Sequence, residues 1–533
     1  MAASGDVAIG EWRASGLASQ SSARPNLRRG KKRAKKTEQM RSGRVLPPIK
    51  VAMMAAMILA GLGCCLMPAT VGAASADTVA SIVQAALNNT RGYDRLVYMA
   101  DTFGIRITGS KGLANMISWA SSTMTSDGTL SRITLEEVPV RNWVRSDVES
   151  LFLYTDLTEP MKLGVVALGG SVGTQGTLQA DGIVLQSFDE AHALGADAIK
   201  GKIVIWNQPW QGYGVSVAYR TQGAAVAASY GAVASLTRSV TDFSLYTLHT
   251  GKMNYKEGTP KIPSAAVTVE DAELLQRYQD RGQGFSLSLQ LGCYDAPRTV
   301  SHNIIAELPG TSLASELVII GGHIDSWSRG AQDDGGAFVS AWEGLNVLAS
   351  LGLRPKRTIR LVGWTSEEWG GEGGEAYFAA HLKELKDTAF AIESDMGIFV
   401  PDAFHFQGSN ESMALFQQMC DSLSPWYQIN VSDVGGVAED IQPLANAGVP
   451  AASLVTVGDP SNGHYWYANK PFSLFLFQKN IYFFPSKRRY HHTLADQETV
   501  VDHVNFNQIM SVFASMAYTL ADAPFRLVGQ PNL

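Results

Sequence analysis

Two histidines and three carboxylates, His323, Asp333, Glu368, Asp395 and His492, carry the chemistry most open to reading in this 533-residue chain. Each ends or follows an apolar, strand-like run or sits beside a turn. ELVIIGGHID runs from Glu316 to Asp325, AQDDGG from Ala331 to Gly336 and IRLVGWTSEE from Ile359 to Glu368. FAIESD covers Phe390 to Asp395 and HHTLAD covers His491 to Asp496. Two imidazoles with three carboxylates suit a pair of zinc ions in which one carboxylate bridges. Glu367 directly precedes Glu368 and stands where a general base would act on an activated water. Adjacent carboxylates repel unless a cation lies beside them.

Such residues need elements that hold them. From about residue 297 the chain alternates strand and helix. VSHNIIAEL, ELVIIGGH and TIRLVGWT read as strands, and GGAFVSAWEGLNVLASLG reads as a helix with Phe338, Ala341, Leu345 and Leu348 on one face. That alternation predicts an α/β fold with a mostly parallel central sheet flanked by helices. Ligands of such sheets lie in loops at the carboxyl ends of strands, where His323, Glu367, Glu368 and Asp395 fall. Residues 77–157 open with helical patterns (TVASIVQAAL, GSKGLANMISWASSTM) and pass into strand-like RITLEEVPV and ESLFLYT. Residues 158–292 change character: Gly and Val rise, and short strands such as GIVLQS and GKIVIWN alternate with turns. Residues 293–524 then form one segment, with a tail at 525–533.

Composition is globular, with 45% hydrophobic and 17% charged residues. The net charge of −6 hides an asymmetry, because residues 1–50 carry 12 Lys+Arg against 3 Asp+Glu. The remaining acidic body argues against a nucleic-acid partner. Lys50, the apolar run Val51–Met67 and Ala74-Ser75-Ala76 match the parts of a secretory signal, so 1–76 reads as a basic leader with a signal peptide. Two rival readings are a nuclear signal in Arg28–Lys36 and an uncleaved anchor, for which the run is short. Sequons begin at Asn88, Asn410 and Asn430, and a secreted or lysosomal location is expected. Beyond the leader only Cys293 and Cys420 remain, so this is no disulfide scaffold.

The order of these residues closely resembles that of the co-catalytic zinc exopeptidases. The resemblance covers 77–524 apart from an aromatic-rich segment at 468–490, which reads as an insertion. It implies two zinc ions (Zn2+) per chain and the zinc-exopeptidase fold, with 158–292 as a β-rich, protease-associated-like insert that shapes access. By the same resemblance His323 binds one ion with Asp325 as its outer partner. Asp333 bridges, followed by a non-proline cis peptide, in a loop shorter than the family pattern. Glu368, Asp395 and His492 complete the ligand set, and Glu367 is the base. Asp496 is the expected partner of His492, and His491 competes for its place. Asp334 doubles as a helix N-cap. The implied activity is removal of residues from short peptides, above all dipeptides with free termini, by a carboxypeptidase or dipeptidase. A homodimer is implied too, and no stable membrane insertion is expected once the signal is cleaved.

Alternatives stay open. An aminopeptidase would share every site residue, and a non-catalytic binding protein would share the fold. Ser171 lies in GGSVG, a G-x-S-x-G match, but TQGTLQADG after it does not read as the helix that a nucleophile elbow needs.

Overall fold

A computed structural model of the chain describes residues 74–242, 244–458 and 490–530. Most of the proposed leader and the atypical segment at 468–489 lie outside the described residues.

The body opens with three helices, α1 (Ala76–Leu87), α2 (Arg91–Phe103) and α3 (Lys111–Asp127). Ser75 and Ser110 cap α1 and α3, each accepting a backbone N–H with its side chain. The long strand β1 (Ser131–Val144) follows. Next come β2 (Glu149–Thr155), β3 (Thr158–Leu163), β4 (Val165–Ala167), β5 (Leu178–Leu185) and helix α4 (Phe188–Ile199). They lead into β6 (Ile203–Trp206), α5 (Tyr213–Ser229), β7 (Ala234–Arg238), β8 (Ser264–Val267), α6 (Val269–Asp280) and β9 (Ser286–Leu291). Strands β2 to β9 form one eight-stranded sheet in the order β3-β2-β9-β5-β6-β7-β8-β4. This β-rich layer takes in β2, so it begins before the expected boundary at 157/158.

The chain returns through β10 (Tyr294–Leu308), which pairs antiparallel with β1 along most of its length. The second layer is therefore entered and left by two neighbouring strands of one ribbon, as an insertion requires. Beyond it lie β11 (Leu313–His323), α7 (Gly336–Ser350), β12 (Arg357–Trp364), α8 (Glu372–Ala380), β13 (Thr388–Glu393) and β14 (Val400–Gln407). Helix α9 (Asn410–Asp421), β15 (Asn430–Ser432), α10 (Gln442–Asn446), β16 (Ala451–Val457) and α11 (His503–Asp522) complete the described chain. The central sheet runs β1-β10-β12-β11-β13-β16-β14-β15. Its middle, β12-β11-β13-β16, is parallel as expected. Its flanks are not: β10 runs antiparallel to β12, and β14 antiparallel to β16. The sheet is mixed, because alternation of strand and helix fixes direction only where a helix makes each crossover.

The middle strands bury both faces. Val318 and Ile320 of β11, Ile359 and Leu361 of β12, and Phe390 and Ile392 of β13 join the core under α1, α7 and α11. Their neighbours Ile319, Val362, Trp364 and Ala391 face the opposite core, with Tyr377 of α8 and Leu444 of α10. This two-faced burial is why the strands read as near-continuous apolar runs. Phe338, Ala341, Leu345 and Leu348 of α7 are all buried. The second layer has its own cores, and one of them takes in Trp143 from β1 and Trp327 and Trp369 from the loops of the central layer. No helix among the described residues is long and apolar enough to cross a membrane.

Ser171 sits in a buried turn. Its hydroxyl accepts the Ser264 N–H at 2.7 Å and donates to the Val172 carbonyl at 2.8 Å, with no helix after it. That spends the hydroxyl on the fold. Cys293 and Cys420 are free, buried and in different cores. Burial pushes the Cys293 thiol up to about 11, and burial with Asp421 raises that of Cys420 further. Thiolate, the reactive form, is therefore scarce at neutral pH. Peptide mapping after iodoacetamide should find both residues unmodified in the folded protein and both alkylated after unfolding.

Candidate metal centre

The six singled-out side chains converge at the carboxyl edge of the parallel strands. His323 is the last residue of β11, Glu367 and Glu368 follow β12, and Asp395 follows β13. Asp333 arrives on the loop before α7, and His492 on the segment before α11.

One half of the site is built on His323, whose ring is buried. Its Nδ1 lies 3.0 Å from the Asp325 carbonyl oxygen, which takes the ring proton there and leaves the Nε2 lone pair facing inward. Nε2 stands 3.3 Å from Asp333 Oδ1, 3.4 Å from Asp395 Oδ1 and 3.8 Å from Glu367 Oε2. It has no hydrogen-bond partner. The other half uses the second oxygen of Asp333. Oδ2 lies 3.5 Å from His492 Nε2 and 3.4 Å from His491 Nε2, and His492 Nε2 is 2.9 Å from Glu368 Oε2. Two groups able to hold a metal ion thus share Asp333: His323–Asp333–Asp395 and Asp333–His491–His492.

The donor set fits zinc. Nitrogen and oxygen ligands about 2.0–2.1 Å from a tetrahedral ion lie ~3.4 Å from one another, and most of the separations above are close to that. The electrostatics agree. Burial alone would lower the pKa of His323, but Glu367, Asp325, Asp333 and Asp395 outweigh it and raise it well above the ordinary range. Glu367 is held well above the carboxylate range by burial, with Asp395, Glu368 and Asp440 adding and His323 opposing. These groups crowd negative charge around a point that wants a cation.

Supporting contacts explain how the loops stay in place. The peptide bond between Asp333 and Asp334 is cis. Both oxygens of Asp496 accept backbone amides of this loop, Gln332 at 2.6 Å and Asp333 at 3.1 Å. Asp496 therefore serves Asp333 and not His492, which corrects the expectation. The shorter loop still brings Asp333 against His323, because Arg106 gathers it. That buried guanidinium donates to the carbonyls of Ile324 at 2.8 Å and Gly330 at 3.0 Å, and to that of Arg329. Asp334 is not a helix cap either. Its Oδ2 accepts the His323 N–H at 3.3 Å, and α7 starts after Gly335 without a side-chain cap. A Cβ at residue 322 would lie 2.6 Å from that same oxygen, so the glycine before His323 is required by close approach. The Asp325 carboxylate, 3.7 Å from His323 Nδ1, is engaged elsewhere: it accepts Glu367 N–H at 3.1 Å and Thr108 O–H at 2.8 Å.

Left-handed backbone at non-glycine residues marks two joints of the site, Ser366 (φ 66°) and His492 (φ 62°). Such conformations are costly and cluster where geometry is over-determined. The β-rich layer also reaches the centre, since His492 Nδ1 lies 3.2 Å from the Thr250 carbonyl oxygen. Arg106, Thr108 and Thr250 were not visible as site residues in the sequence. A buried arginine bonding only carbonyls, and a carbonyl itself, leave no side-chain pattern to read.

Known proteins match this chain. Carboxypeptidase Q of Xenopus laevis is 38% identical, over 84% of this chain and 90% of its own length. Peptidase family M28 matches residues 303–517, the segment that carries all six residues. The chain belongs to this family. Human carboxypeptidase Q is also 38% identical, over 81% of this chain and 85% of its own. Among solved structures, the Peptidase M28 precursor from Shewanella amazonensis SB2B superposes with a TM-score of 0.76 at 28% identity, covering 86% of this chain and 99% of its own. A zinc aminopeptidase from Bacillus subtilis shares the fold at a TM-score of 0.59 and 19% identity. The M28 chain described here is accordingly a metallo-exopeptidase resembling carboxypeptidase Q.

Two outcomes follow from this geometry. Asp496→Asn sets an NH2 against one of the two loop amides and should weaken zinc binding by about 10–100-fold, measured by chelator competition. Because His323 in the ion-free cluster holds its proton above the ordinary range near pH 6.5, metal must displace that proton. Apparent affinity should therefore climb as pH rises through and beyond that range. Affinity independent of pH there would contradict the assignment.

Proposed function

We propose that this chain removes residues from short peptides with free termini, above all dipeptides, using two zinc ions held by His323, Asp333, Glu368, Asp395 and His492. The observation that carries the reading is the Asp333 carboxylate, whose Oδ1 faces His323 and whose Oδ2 faces His492. A carboxylate so turned suits a bridge between two cations. His323 and Asp395 would hold one ion, and Glu368 and His492 the other. His492 is preferred to His491 because its Nε2 also lies 2.9 Å from Glu368 Oε2 and its Nδ1 faces the Thr250 carbonyl.

When bound, such ions polarise the scissile carbonyl and make water a nucleophile near neutral pH. The chain's part is positioning and proton handling. Glu367 is placed beside the His323 half with its amide fixed by Asp325. Its carboxylate accepts the proton of the attacking water and returns it to the leaving amine. A carboxylate whose pKa is raised by burial and by like charges suits both directions of that transfer. Asp395 is the most exposed of these side chains, at 30%, which marks the side by which a peptide enters. The carboxypeptidase Q relatives support cleavage at a free carboxyl end; the aminopeptidase reading differs in pocket shape alone.

A secretory location is supported by the basic, apolar and small-residue order of 50–76 and by the exposure of Asn88, Asn410 and Asn430. Trimming of N-linked glycan by an endoglycosidase would test it, and absence of glycan would remove that support. The homodimer follows from family resemblance, and sedimentation as a monomer would exclude it.

Zinc content and hydrolysis before and after chelation test the proposal. About two ions per chain are expected, with dipeptides cut and activity lost on chelation. Glu367→Gln should lower kcat by about 10^2–10^4-fold while zinc content stays at the parent level. Cleavage of aminoacyl reporter amides in preference to dipeptides would favour an aminopeptidase, and no metal with no cleavage would leave a binding protein.

A further inference from the structure

The two halves of the centre are not supported alike. Every hydrogen-bond or ion-pair partner of His323 among the described residues belongs to the central layer: Asp325, Asp333, Asp334, Glu367 and Asp395. His492 leans on the other layer. A strap of four residues, His249 to Lys252, leaves the β-rich layer and lies along the segment His491-His492. Thr250 N–H donates to the His492 carbonyl at 3.1 Å, and His492 Nδ1 faces the Thr250 carbonyl at 3.2 Å. The two residues thus bond each other in both directions. His249 Nδ1 donates to the His491 carbonyl at 2.9 Å. Burial keeps this imidazole neutral, with its pKa pushed down to about 3.

The strap is itself anchored. Gly251 accepts the Gly169 N–H at 2.9 Å, and Thr250 Oγ1 donates to the Ala167 carbonyl at 2.8 Å, both at the end of β4. From α5, Arg220 Nη1 donates to the Thr250 carbonyl at 3.1 Å, while Nη2 donates to Tyr213 Oη at 3.0 Å. Arg220 Nη1 also stands 3.4 Å from His492 Nδ1. A Cβ on residue 251 would lie 2.6 Å from His492 Nδ1 and 2.7 Å from Arg220 Cζ. At its far end Lys252 Nζ donates to the Trp369 carbonyl at 2.5 Å, one residue after Glu368. The second half is therefore held from the β-rich layer at His492 itself and at Trp369, the residue after Glu368.

We infer that this strap, with Arg220 behind it, positions the His492–Glu368 half of the centre, so that the two ion positions are built by different parts of the chain and weaken separately. The Thr250 carbonyl fixes which ring nitrogen of His492 is protonated and so leaves Nε2 as the ligand. Arg220 holds that carbonyl in line. Arg220, Gly251 and Lys252 are positioning residues and touch no reacting atom. The inference rests on the two-ion reading above.

Zinc binding measured by equilibrium competition, with cobalt absorption as a second readout, tests it in Arg220→Met, Gly251→Ala and Arg220→Lys. The parent protein should take up two ions. In Arg220→Met and Gly251→Ala one equivalent should weaken by about 10–100-fold while the other keeps its affinity, and the cobalt band of the weakened equivalent alone should shift. Arg220→Lys, which keeps a cationic donor, should recover part of the loss. In an Asp395→Asn background, which weakens the His323 half, Arg220→Met should lower the affinity of the ion that remains. Parallel weakening of both equivalents, or of neither, overturns the inference. So does collapse of the fold in both Arg220→Met and Gly251→Ala, since the contacts would then serve the whole body. A parent protein that binds fewer than two ions fails at the first step and marks the two-ion reading as the fault.

Discussion

The structure turns on buried negative charge gathered around His323. Asp333, Glu367 and Asp395 approach its Nε2 within 3.8 Å, and Glu368 stands across Asp333 beside His492. Like charges about 4 Å apart repel by roughly 4 kcal/mol at an effective dielectric constant of 20. Folding brings them together only where something repays that cost. A nearby cation, Arg106, is spent on carbonyls and makes no hydrogen bond to these carboxylates. Its burial lowers its pKa to about 10, with Asp496, Asp325, Asp334 and Asp333 resisting the shift. It therefore holds the loop and adds only distant charge. What remains is a cluster of acids and histidines whose repulsion a bound cation would relieve.

That constraint explains the division of the fold. Parallel strands place their carboxyl ends side by side, so β11, β12 and β13 deliver His323, the glutamate pair and Asp395 to one edge without any loop having to travel far. Asp333 cannot come from a strand end, because it must present both oxygens between the histidines. Its loop is irregular and is pinned from three sides by Arg106, by Asp496 and by the Asp334–His323 contact. The β1–β10 ribbon then suspends the β-rich layer over the same edge. A tryptophan cluster, Trp143, Trp327 and Trp369, seals the junction, with Trp327 5.0 Å from Trp369 and 6.3 Å from the His492 ring.

Much of this was legible because strand ends announce themselves. Near-continuous apolar runs that stop at His323, Glu367 or Asp395 mark buried parallel strands and their carboxyl edge together. What failed had a common cause. The resemblance pairs Asp496 with His492, four residues before it, yet in this turn its carboxylate points at the amides of Gln332 and Asp333. Asp334 sits where a cap should be, but its side chain turns back to the strand it follows. Sequence spacing predicts neighbours within one element and is silent about a loop that doubles back. The antiparallel flanks of the central sheet escaped for a related reason, since strand direction at an edge is set by tertiary connection. The strap could not be read at all, because its contacts to His491, His492 and Trp369 end on backbone groups, apart from the His492 ring proton that Thr250 accepts.

The turn that carries the glutamate pair shows how these pieces meet. Glu367 and Glu368 are consecutive, yet one faces the His323 half and the other the His492 half. A strand would send neighbours to opposite faces of the sheet, and a helix would fan them by about 100°. The short turn Glu367–Trp369, entered through the left-handed Ser366, keeps both on the same edge while separating their tips. Its first amide is held by Asp325 from the central layer and its last carbonyl by Lys252 from the other. Shifting either layer would disturb this turn and with it both glutamates. The two glutamates that it carries are thus tied to both layers at once, which is a physical reason for the inserted layer to stay packed against this edge.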